Sequence, residues 1–264
     1  MPIKTLFLVL LMAVATLAGA QGEPVGIVVM HGKGGSPNAR HIVEFVQRLE
    51  SRGFRVANLE MPWSGARNYD VPVARGEEEV TAAVADLRSK GAKKVFIAGH
   101  SQGGGFVLHY AGRHGADGII ALAPGGNVGS LMFERYVGNA RTRARKLVAE
   151  GKGDEVTELR DYEGKRGDYP VFSPPAAWLT WFEPEGAMNI PRAAKAVDPK
   201  TPVLFVIPTD DYPTLLKSSP GVYRSLPKNP LTKLYEPRAD HLGAPAASVD
   251  EIVRWTKEVV GGKP

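Results

Sequence analysis

A serine lies between two glycines in the pentapeptide Gly-His-Ser-Gln-Gly, with Ser101 at its centre and Gly99 and Gly103 at its ends. A serine hydroxyl attacks a carbonyl carbon only when a neighbouring base removes its proton. The two glycines suit a turn so tight that positions two residues from the serine must lack bulk. The spacing therefore points to acyl-transfer chemistry, although so short a match also arises by chance in a chain with 30 glycines.

The residues around Ser101 strengthen this interpretation. Residues 95–98 form an apolar run typical of a strand, and a helix is predicted from about residue 103 to residue 113. A nucleophile elbow needs a strand, a sharp turn and a helix in that order. The hydroxyl then stands at a helix N-terminus, where backbone N–H groups face the negative charge that develops on a bound carbonyl oxygen.

The base for such a serine must come from the six histidines of the chain. His241 lies in a loop after the last predicted strand and before the last predicted helix. That position fits the chain order nucleophile, acid, histidine, and an ordinary loop histidine is the alternative. The others are His100 inside the elbow, His31 in a separate motif, and His41, His109 and His114 on predicted helices, where we expect surface or packing roles.

The acid that orients the histidine should follow the penultimate strand, where the chain supplies two neighbouring candidates, Asp210 and Asp211. Its task is to hold the imidazole in one tautomer and to stabilise the imidazolium formed during attack. Asp240, next to His241, is interpreted as a surface or loop-capping residue. Spacing alone leaves the choice between Asp210 and Asp211 open.

The elements that must position these side chains alternate along the chain. Strands that are apolar throughout, separated by helices, predict an α/β fold with a mostly parallel sheet covered by helices on both faces. The predicted strands are residues 25–32, 55–62, 93–99, 117–126, 201–208 and 231–237, and the predicted helices are residues 38–54, 77–92, 103–113 and 248–260.

The alternation is interrupted from about residue 127 to residue 200, far longer than the usual connection in such folds. The interruption contains an amphipathic helix candidate and a stretch rich in proline and aromatic residues. We expect a helical cap over the carboxyl ends of the strands, the alternative being a subdomain packed elsewhere. Its aromatic residues either line an acyl pocket or, as we favour, form a small core of their own.

The N-terminus has the pattern of a secretory signal peptide. Lys4 precedes an uncharged apolar stretch, residues 6–17, and the small residues Ala18 and Ala20 follow. An apolar stretch of about a dozen residues is shorter than the roughly 20 that span a bilayer, which argues against the alternative of a membrane anchor. We therefore expect cleavage after residue 20, export to the periplasm or the medium, one domain over residues 21–264 and no stable membrane anchor afterwards.

The composition limits the partners and the chemistry. The formal net charge of +5 is modest and requires no nucleic-acid partner. The chain has no cysteine, so disulfides do not stabilise it. No His-Glu-x-x-His motif or glycine-rich phosphate loop is present, and we expect no metal or organic cofactor. The sequence gives no indication of the oligomeric state.

Four segments taken in order make the likeness specific: His-Gly-x-Gly-Gly from His31, the elbow at Ser101, the acidic loop, and the late Asp-His at His241. This set resembles the α/β-hydrolase superfamily over nearly the whole chain outside the signal peptide and the interruption. The resemblance implies that the backbone N–H groups of Lys33 and Gln102 form an oxyanion hole. Lipases of the group often have glycine where this chain has Lys33.

The resemblance also favours Asp211 as the acid. Similar proteins carry Gly-x-x-Asp in this loop, and Pro208 occupies the glycine position here. Because that substitution leaves the register uncertain, Asp210 remains the alternative.

Together these features predict an exported serine hydrolase with the catalytic residues Ser101, Asp211 and His241. We expect a carboxylesterase that cleaves small to medium acyl esters through an acyl-enzyme intermediate. The alternatives are a cofactor-free perhydrolase or an amidase with the same triad, and a non-catalytic binding protein of the same fold.

Overall fold

The computed structural model of the protein describes residues 24–164 and 166–262, so the predicted signal peptide, residues 1–20, lies outside the described residues. Within these ranges the strands are β1 (Val25–Met30), β2 (Arg55–Leu59), β3 (Lys94–His100), β4 (Ile119–Leu122), β5 (Thr157–Glu163), β6 (Gly167–Ser173), β7 (Val203–Val206) and β8 (Lys233–Tyr235). The helices are α1 (Arg40–Ser51), α2 (Val73–Ser89), α3 (Gln102–His114), α4 (Leu131–Ala149), α5 (Pro175–Phe182), α6 (Ile190–Ala196), α7 (Pro213–Arg224), α8 (Ala244–Ala247) and α9 (Val249–Gly261).

The predicted parallel sheet is confirmed. Its six strands follow the order β2-β1-β3-β4-β7-β8, and every neighbouring pair runs parallel. Strands β1, β3, β4 and β7 are buried almost throughout, which explains why they appear in the sequence as unbroken apolar runs. All carboxyl ends therefore meet at one edge, where the loops carrying Lys33, Ser101, Asp211 and His241 begin.

Side chains of these strands alternate between two cores, as the pleat requires. Ile27 and Val29 of β1 pack with Phe45 of α1 and Trp255 of α9 on one face. On the other face, strand residues such as Val28 share a core with helices α2, α3 and α6. Helices α2 and α3, which precede and follow β3, both pack in this second core. Their packing holds the end of β3 and therefore the position of Ser101.

Between β4 and β7 the chain forms α4, the hairpin β5-β6, α5 and α6; we call residues 127–200 the inserted segment. The amphipathic helix expected here is present as α4. The antiparallel hairpin β5-β6 was not predicted, since the expectation was a helical cap. Its sequence is largely polar, and within β5 the buried residues are Leu159 and Asp161.

The inserted segment packs into the core on one face of the sheet and does not form a separate core of its own. Trp181 of α5 contacts Trp63 of the body, with ring centroids 5.6 Å apart, and Trp63 in turn contacts Phe106 of α3 at 5.1 Å. Trp178 and Phe182 are also buried, whereas Phe172 is exposed. Most of these aromatic residues therefore anchor the segment.

The described residues also bear on membranes and metals. No helix within them combines the length and the apolar character that crossing a bilayer requires. The same part of the chain contains no group of three or more histidine, cysteine, aspartate or glutamate side chains placed to bind a metal ion.

Candidate active site

Ser101 occupies the sharp turn between β3 and α3. Its backbone has φ 54° and ψ −114°, a region that non-glycine residues rarely adopt and that persists only where the surroundings enforce it. Here they do so through three hydrogen bonds. The Ser101 N–H donates to the carbonyl of Leu122 (2.9 Å), and its own carbonyl accepts from the N–H groups of Gly105 (3.1 Å) and Gly125 (2.9 Å).

The two glycines of the pentapeptide are required by close backbone contact. A Cβ atom at Gly99 would overlap the carbonyl of Gly103, and one at Gly103 would lie 2.8 Å from the carbonyl oxygens of Met30 and His31. Such distances leave no room for a side chain. The pattern that suggested an elbow in the sequence thus has a steric cause in the structure.

Two backbone N–H groups near Ser101 are available to a ligand. Gln102 is the first residue of α3, so its N–H has no acceptor within the helix. The N–H of Lys33 has no acceptor among the described residues. The loop that carries Lys33 approaches Ser101 closely, because a Cβ atom on the preceding Gly32 would lie 3.1 Å from Cβ of Ser101.

His31 fixes the shape of this loop. Its Nδ1 lies 2.7 Å from the Gly32 carbonyl, and its Nε2 accepts a hydrogen bond from the N–H of Met61 at 3.1 Å. Trp63 Nε1 donates to the His31 carbonyl at 2.9 Å. Burial lowers the pKa of His31, so the ring stays neutral and keeps this pattern. His31 is therefore a structural residue of the loop.

The loops with the predicted acid and base run side by side because the pairing of β7 and β8 continues beyond the strands. The Thr209 N–H donates to the Pro237 carbonyl and the Asp210 N–H to the Ala239 carbonyl, each at 3.0 Å. This places Asp210 opposite Asp240, and one residue later in each loop the side chains of Asp211 and His241 meet.

Asp211 and His241 form a buried pair. Asp211 Oδ1 lies 2.7 Å from His241 Nδ1 and also accepts a hydrogen bond from the N–H of Tyr212 at 2.7 Å. The Tyr212 ring stacks on the imidazole with centroids 4.6 Å apart. Asp210, by contrast, is exposed, and within the described ranges its side chain accepts one hydrogen bond, from the Thr209 hydroxyl at 3.3 Å.

Asp240 has the loop-capping contact that the sequence suggested. Its Oδ1 accepts a hydrogen bond from the N–H of Gly243 at 2.7 Å. This bond closes the turn after His241 and leaves the imidazole facing Asp211.

His100 connects the elbow to the histidine loop. Its Nε2 lies 2.9 Å from the His241 carbonyl, and the two rings have centroids 4.8 Å apart. The residue before Ser101 thus contacts His241 directly. In the described part of the chain, no hydrogen bond links Ser101 Oγ to His241, so the structure brings the base beside the elbow without that bond formed.

A cavity of about 330 Å³ opens beside the elbow. Gly125 lines it, and a Cβ atom at Gly125 would lie 3.6 Å from Ser101 Oγ and 3.5 Å from Leu215 of α7. Most of the remaining lining is small or apolar, from α6, α7 and the loop after β4. The cavity thus reaches the serine elbow at Gly125, although Ser101 itself is not part of its lining.

Sequence reasoning missed a polar cluster next to the Lys33 loop. Asp161 of β5 is fully buried and contacts Lys33 Nζ at 2.6 Å and the Tyr69 hydroxyl at 2.7 Å. These residues lie far apart in the chain, and no short motif joins them. The sequence signal for this cluster was weak: Asp161 lies two residues after the apolar Leu159, on the same face of the polar strand β5.

Solved structures with the same architecture include enzymes that act on esters. Est1E from Butyrivibrio proteoclasticus, solved with ferulic acid, is 19% identical over 90% of each chain, with a TM-score of 0.60. A monoacylglycerol lipase of Paleococcus ferrophilus is 21% identical over 91% of this chain and 96% of the other, with a TM-score of 0.59. DcsB, solved with a substrate analogue, is 18% identical over 92% of each chain, with a TM-score of 0.67. At these identities the similarity shows a shared fold.

Among curated proteins, one from Mycobacterium phage D29, named as a non-heme haloperoxidase, is 30% identical over 151 residues. The match covers 53% of each chain, so this protein spans about half the length of that relative. The model of the Alpha/beta hydrolase family matches residues 27–255, nearly the whole described chain. The chain therefore belongs to the alpha/beta hydrolase family.

Proposed function

We propose that the protein is a serine hydrolase that cleaves carboxylic esters with Ser101 as nucleophile, His241 as general base and Asp211 as the acid that orients it. The observation that carries this proposal is the buried hydrogen bond of 2.7 Å between Asp211 and His241 beside a strained serine elbow. Family membership supports a hydrolase, and the three roles rest on the geometry.

The proposed reaction begins with attack by Ser101 Oγ on the ester carbonyl. His241 Nε2 accepts the serine proton, and Asp211 stabilises the imidazolium through Nδ1–H. The N–H groups of Lys33 and Gln102 stabilise the oxyanion. The protonated histidine then gives its proton to the departing alcohol. Water, activated by the same histidine, hydrolyses the acyl-enzyme and restores the serine. The hydrogen bond from Ser101 Oγ to His241 Nε2, which is not formed in this structure, forms when substrate binds, as is common in such enzymes.

The cavity beside Ser101 supports small to medium acyl groups as substrates. Its volume of about 330 Å³ lies at the low end of ligand sites, which span roughly 300–1,000 Å³. It suits a short acyl chain better than a long one. We therefore propose carboxylesterase activity on short acyl esters.

The decisive experiment compares the wild type with Ser101→Ala. We expect the wild type to hydrolyse p-nitrophenyl acetate and butyrate and to be labelled by a fluorophosphonate probe. Loss of the serine should lower kcat by at least about 1,000-fold and abolish labelling, while the circular dichroism spectrum stays unchanged. Equal turnover by the variant would exclude Ser101 as the nucleophile, and absence of both activity and labelling in the wild type would favour a non-catalytic protein.

A second candidate is a cofactor-free perhydrolase, which the similarity to the phage protein named as a haloperoxidase favours. In this reaction hydrogen peroxide replaces water in attack on the acyl-enzyme, giving a peracid and the free serine. The overall change converts a carboxylic acid and peroxide into peracid and water. Oxidation of bromide by purified protein with acetate and peroxide, lost in Ser101→Ala, would establish it.

We also propose that the protein is exported and processed after residue 20. Support comes from the Lys4, apolar and small-residue pattern at the N-terminus. Expression of the full chain in a bacterium, followed by fractionation and mass measurement of the purified protein, tests this. A cytoplasmic protein that retains residues 1–20 would contradict the proposal.

A further inference from the structure

One buried carboxylate joins the inserted segment to the loop beside Ser101. Both oxygens of Asp161 are occupied. Oδ1 accepts from Lys33 Nζ at 2.6 Å and from the N–H of Tyr162 at 2.6 Å. Oδ2 accepts from the hydroxyls of Tyr69 at 2.7 Å and Tyr169 at 3.0 Å. A carboxylate with this many donors and no exposure is held in one position.

The Lys33 side chain is held by the inserted segment at three points. Besides Asp161, its ammonium donates to the Tyr162 carbonyl at 3.0 Å and lies 4.8 Å from the ring centroid of Phe133. Only 9% of the side chain is exposed. A lysine normally keeps its ammonium in water and its side chain mobile. Here the Lys33 side chain is fixed, and this also restrains the backbone N–H of Lys33.

The same carboxylate reaches the second residue of the proposed oxyanion hole. Gln102 Nε2 donates to the Tyr69 hydroxyl at 3.3 Å, and that hydroxyl donates to Asp161. Burial, together with the nearby Asp161 charge, raises the pKa of Tyr69 well above its ordinary value. The phenol therefore keeps its proton. Its oxygen accepts a hydrogen bond from Gln102, and its O–H donates to Asp161.

Backbone strain lies in the same cluster. Tyr69 has φ 61° and its neighbour Asn68 has φ 50°, a conformation that bulky residues avoid. It is enforced by the Tyr69 N–H, which donates to the Pro62 carbonyl at 2.6 Å, and by Ser173 Oγ, which donates to the Tyr69 carbonyl at 2.8 Å. Strain of this kind persists where the surrounding structure over-determines a position, and such positions cluster at functional sites.

We propose that Asp161 is a positioning residue that aligns both N–H donors of the oxyanion hole, acting on Lys33 directly and on Gln102 through Tyr69. The inference rests on the proposed function and assigns the inserted segment a part in it. A misplaced N–H donor makes a weaker hydrogen bond to the oxyanion, and that bond is strongest in the transition state. Removing Asp161 should therefore lower kcat more than it raises KM.

Two conservative variants test the role. Asp161→Asn keeps the size of the side chain and removes the charge facing Lys33. Tyr69→Phe keeps the ring packing and breaks the link to Gln102. We expect kcat for p-nitrophenyl butyrate to fall about 10- to 100-fold in Asp161→Asn and about 10-fold in Tyr69→Phe, with KM changed by less than about 3-fold.

Tyr169→Phe is the matched control. It removes a hydroxyl from the same oxygen of Asp161, yet the structure gives the Tyr169 hydroxyl no bond to Lys33 or Gln102. We expect kcat within about 2-fold of the wild type, because both tethered residues keep their contacts with the carboxylate. Melting temperatures are measured for all three variants, since a merely structural carboxylate would change the melting temperature and leave kcat per folded molecule unchanged.

The outcomes separate this inference from the proposed function. An active wild type whose Asp161→Asn and Tyr69→Phe variants retain kcat overturns the positioning role alone. An equal fall of kcat in Tyr69→Phe and Tyr169→Phe overturns it as well, since the link to Gln102 would then add nothing to the loss of one hydroxyl from Asp161. Equal turnover by the wild type and Ser101→Ala overturns the proposed function and this inference together. If Asp161→Asn does not fold, Tyr69→Phe against Tyr169→Phe decides.

Discussion

At the scale of single residues, the site depends on which of two neighbouring carboxylates faces the imidazole. Successive side chains of an extended chain point to opposite sides, so Asp210 and Asp211 have opposite surroundings. Asp211 is buried against His241, and Asp210 is exposed to solvent. A carboxylate that orients a histidine must be desolvated and fixed, which only Asp211 fulfils.

The first prediction compares Asp211→Asn with Asp210→Asn. The asparagine at 211 loses the charge that stabilises the imidazolium and presents an amide that favours the wrong tautomer, so kcat should fall about 10,000-fold. The same change at 210 should leave kcat unchanged, because that side chain is exposed and accepts its hydrogen bond from a threonine hydroxyl. Steady-state kinetics with p-nitrophenyl acetate measure both, and a larger loss at 210 would reassign the acid.

Spacing narrowed the acid to two residues, and only the resemblance favoured Asp211 over Asp210. The choice depends on where the parallel pairing of β7 and β8 stops, and Pro208 stands where similar proteins have glycine. The backbone bonds at Thr209 and Asp210 extend that pairing. These bonds join two loops about thirty residues apart, a long-range register that no local pattern encodes.

At the scale of elements, the elbow depends on a close approach of a strand and a helix, with no room for a side chain between the two backbones. The end of β3 contacts the first turn of α3 through Gly99 and Gly103. The sequence revealed this fully, because the requirement is local and leaves glycine as its mark. The hairpin β5-β6 left no comparable mark, since its buried face alternates an apolar residue with the charged Asp161.

The second prediction concerns Gly99→Ala. A methyl group at this position overlaps the Gly103 carbonyl, so the strand and the helix must separate, and we expect a loss of unfolding free energy of about 3 kcal/mol or more. Gly164→Ala is the control, because a Cβ atom there meets nothing within 4 Å, and its effect should stay within about 0.5 kcal/mol. Urea denaturation measures both. Equal stability of the two variants would contradict the steric account of the elbow.

The third prediction concerns the cavity between α6 and α7. Gly125→Val should fill the space next to Ser101 Oγ and lower the ratio of kcat/KM for p-nitrophenyl hexanoate to that for acetate by about 10-fold. Leu215→Ala enlarges the same space from α7 and should raise that ratio. A chain-length series measures both. If neither variant changes the ratio, the acyl chain binds elsewhere.

At the scale of the whole molecule, the sheet order brings loops from distant parts of the chain to one edge, and with them several histidines. His100 lies between His41 of α1, with ring centroids 5.2 Å apart, and His241, at 4.8 Å. The apolar strands and their alternation with helices along the chain were predictable from periodicity. This clustering was not, because the sequence placed His41 on a helix without showing which face of the sheet that helix covers.

The last prediction is a loss of stability in mild acid that depends on His100. Burial, followed by the nearby imidazoles of His241 and His41, lowers the pKa of His100 well below 6.5. The folded protein therefore keeps His100 neutral while the unfolded chain takes up a proton below pH 6.5, so stability is full above that pH and falls as the pH decreases through it.

Between pH 7.5 and 5.5 this one group should lower the unfolding free energy by about 1.4 kcal/mol. The carboxylates with lowered pKa values, Glu77 and Glu251, lose their contribution only below about pH 4.5, outside this window. Burial also lowers the pKa of His31, His41 and His109, so these add a loss of the same sign, which the comparison of wild type and variant removes. Urea denaturation at the two pH values measures the difference, and His100→Asn, although less stable at both, should show a difference smaller by about 1 kcal/mol. An equal pH dependence in the wild type and the variant would mean that His100 is not among the groups that take up a proton on unfolding.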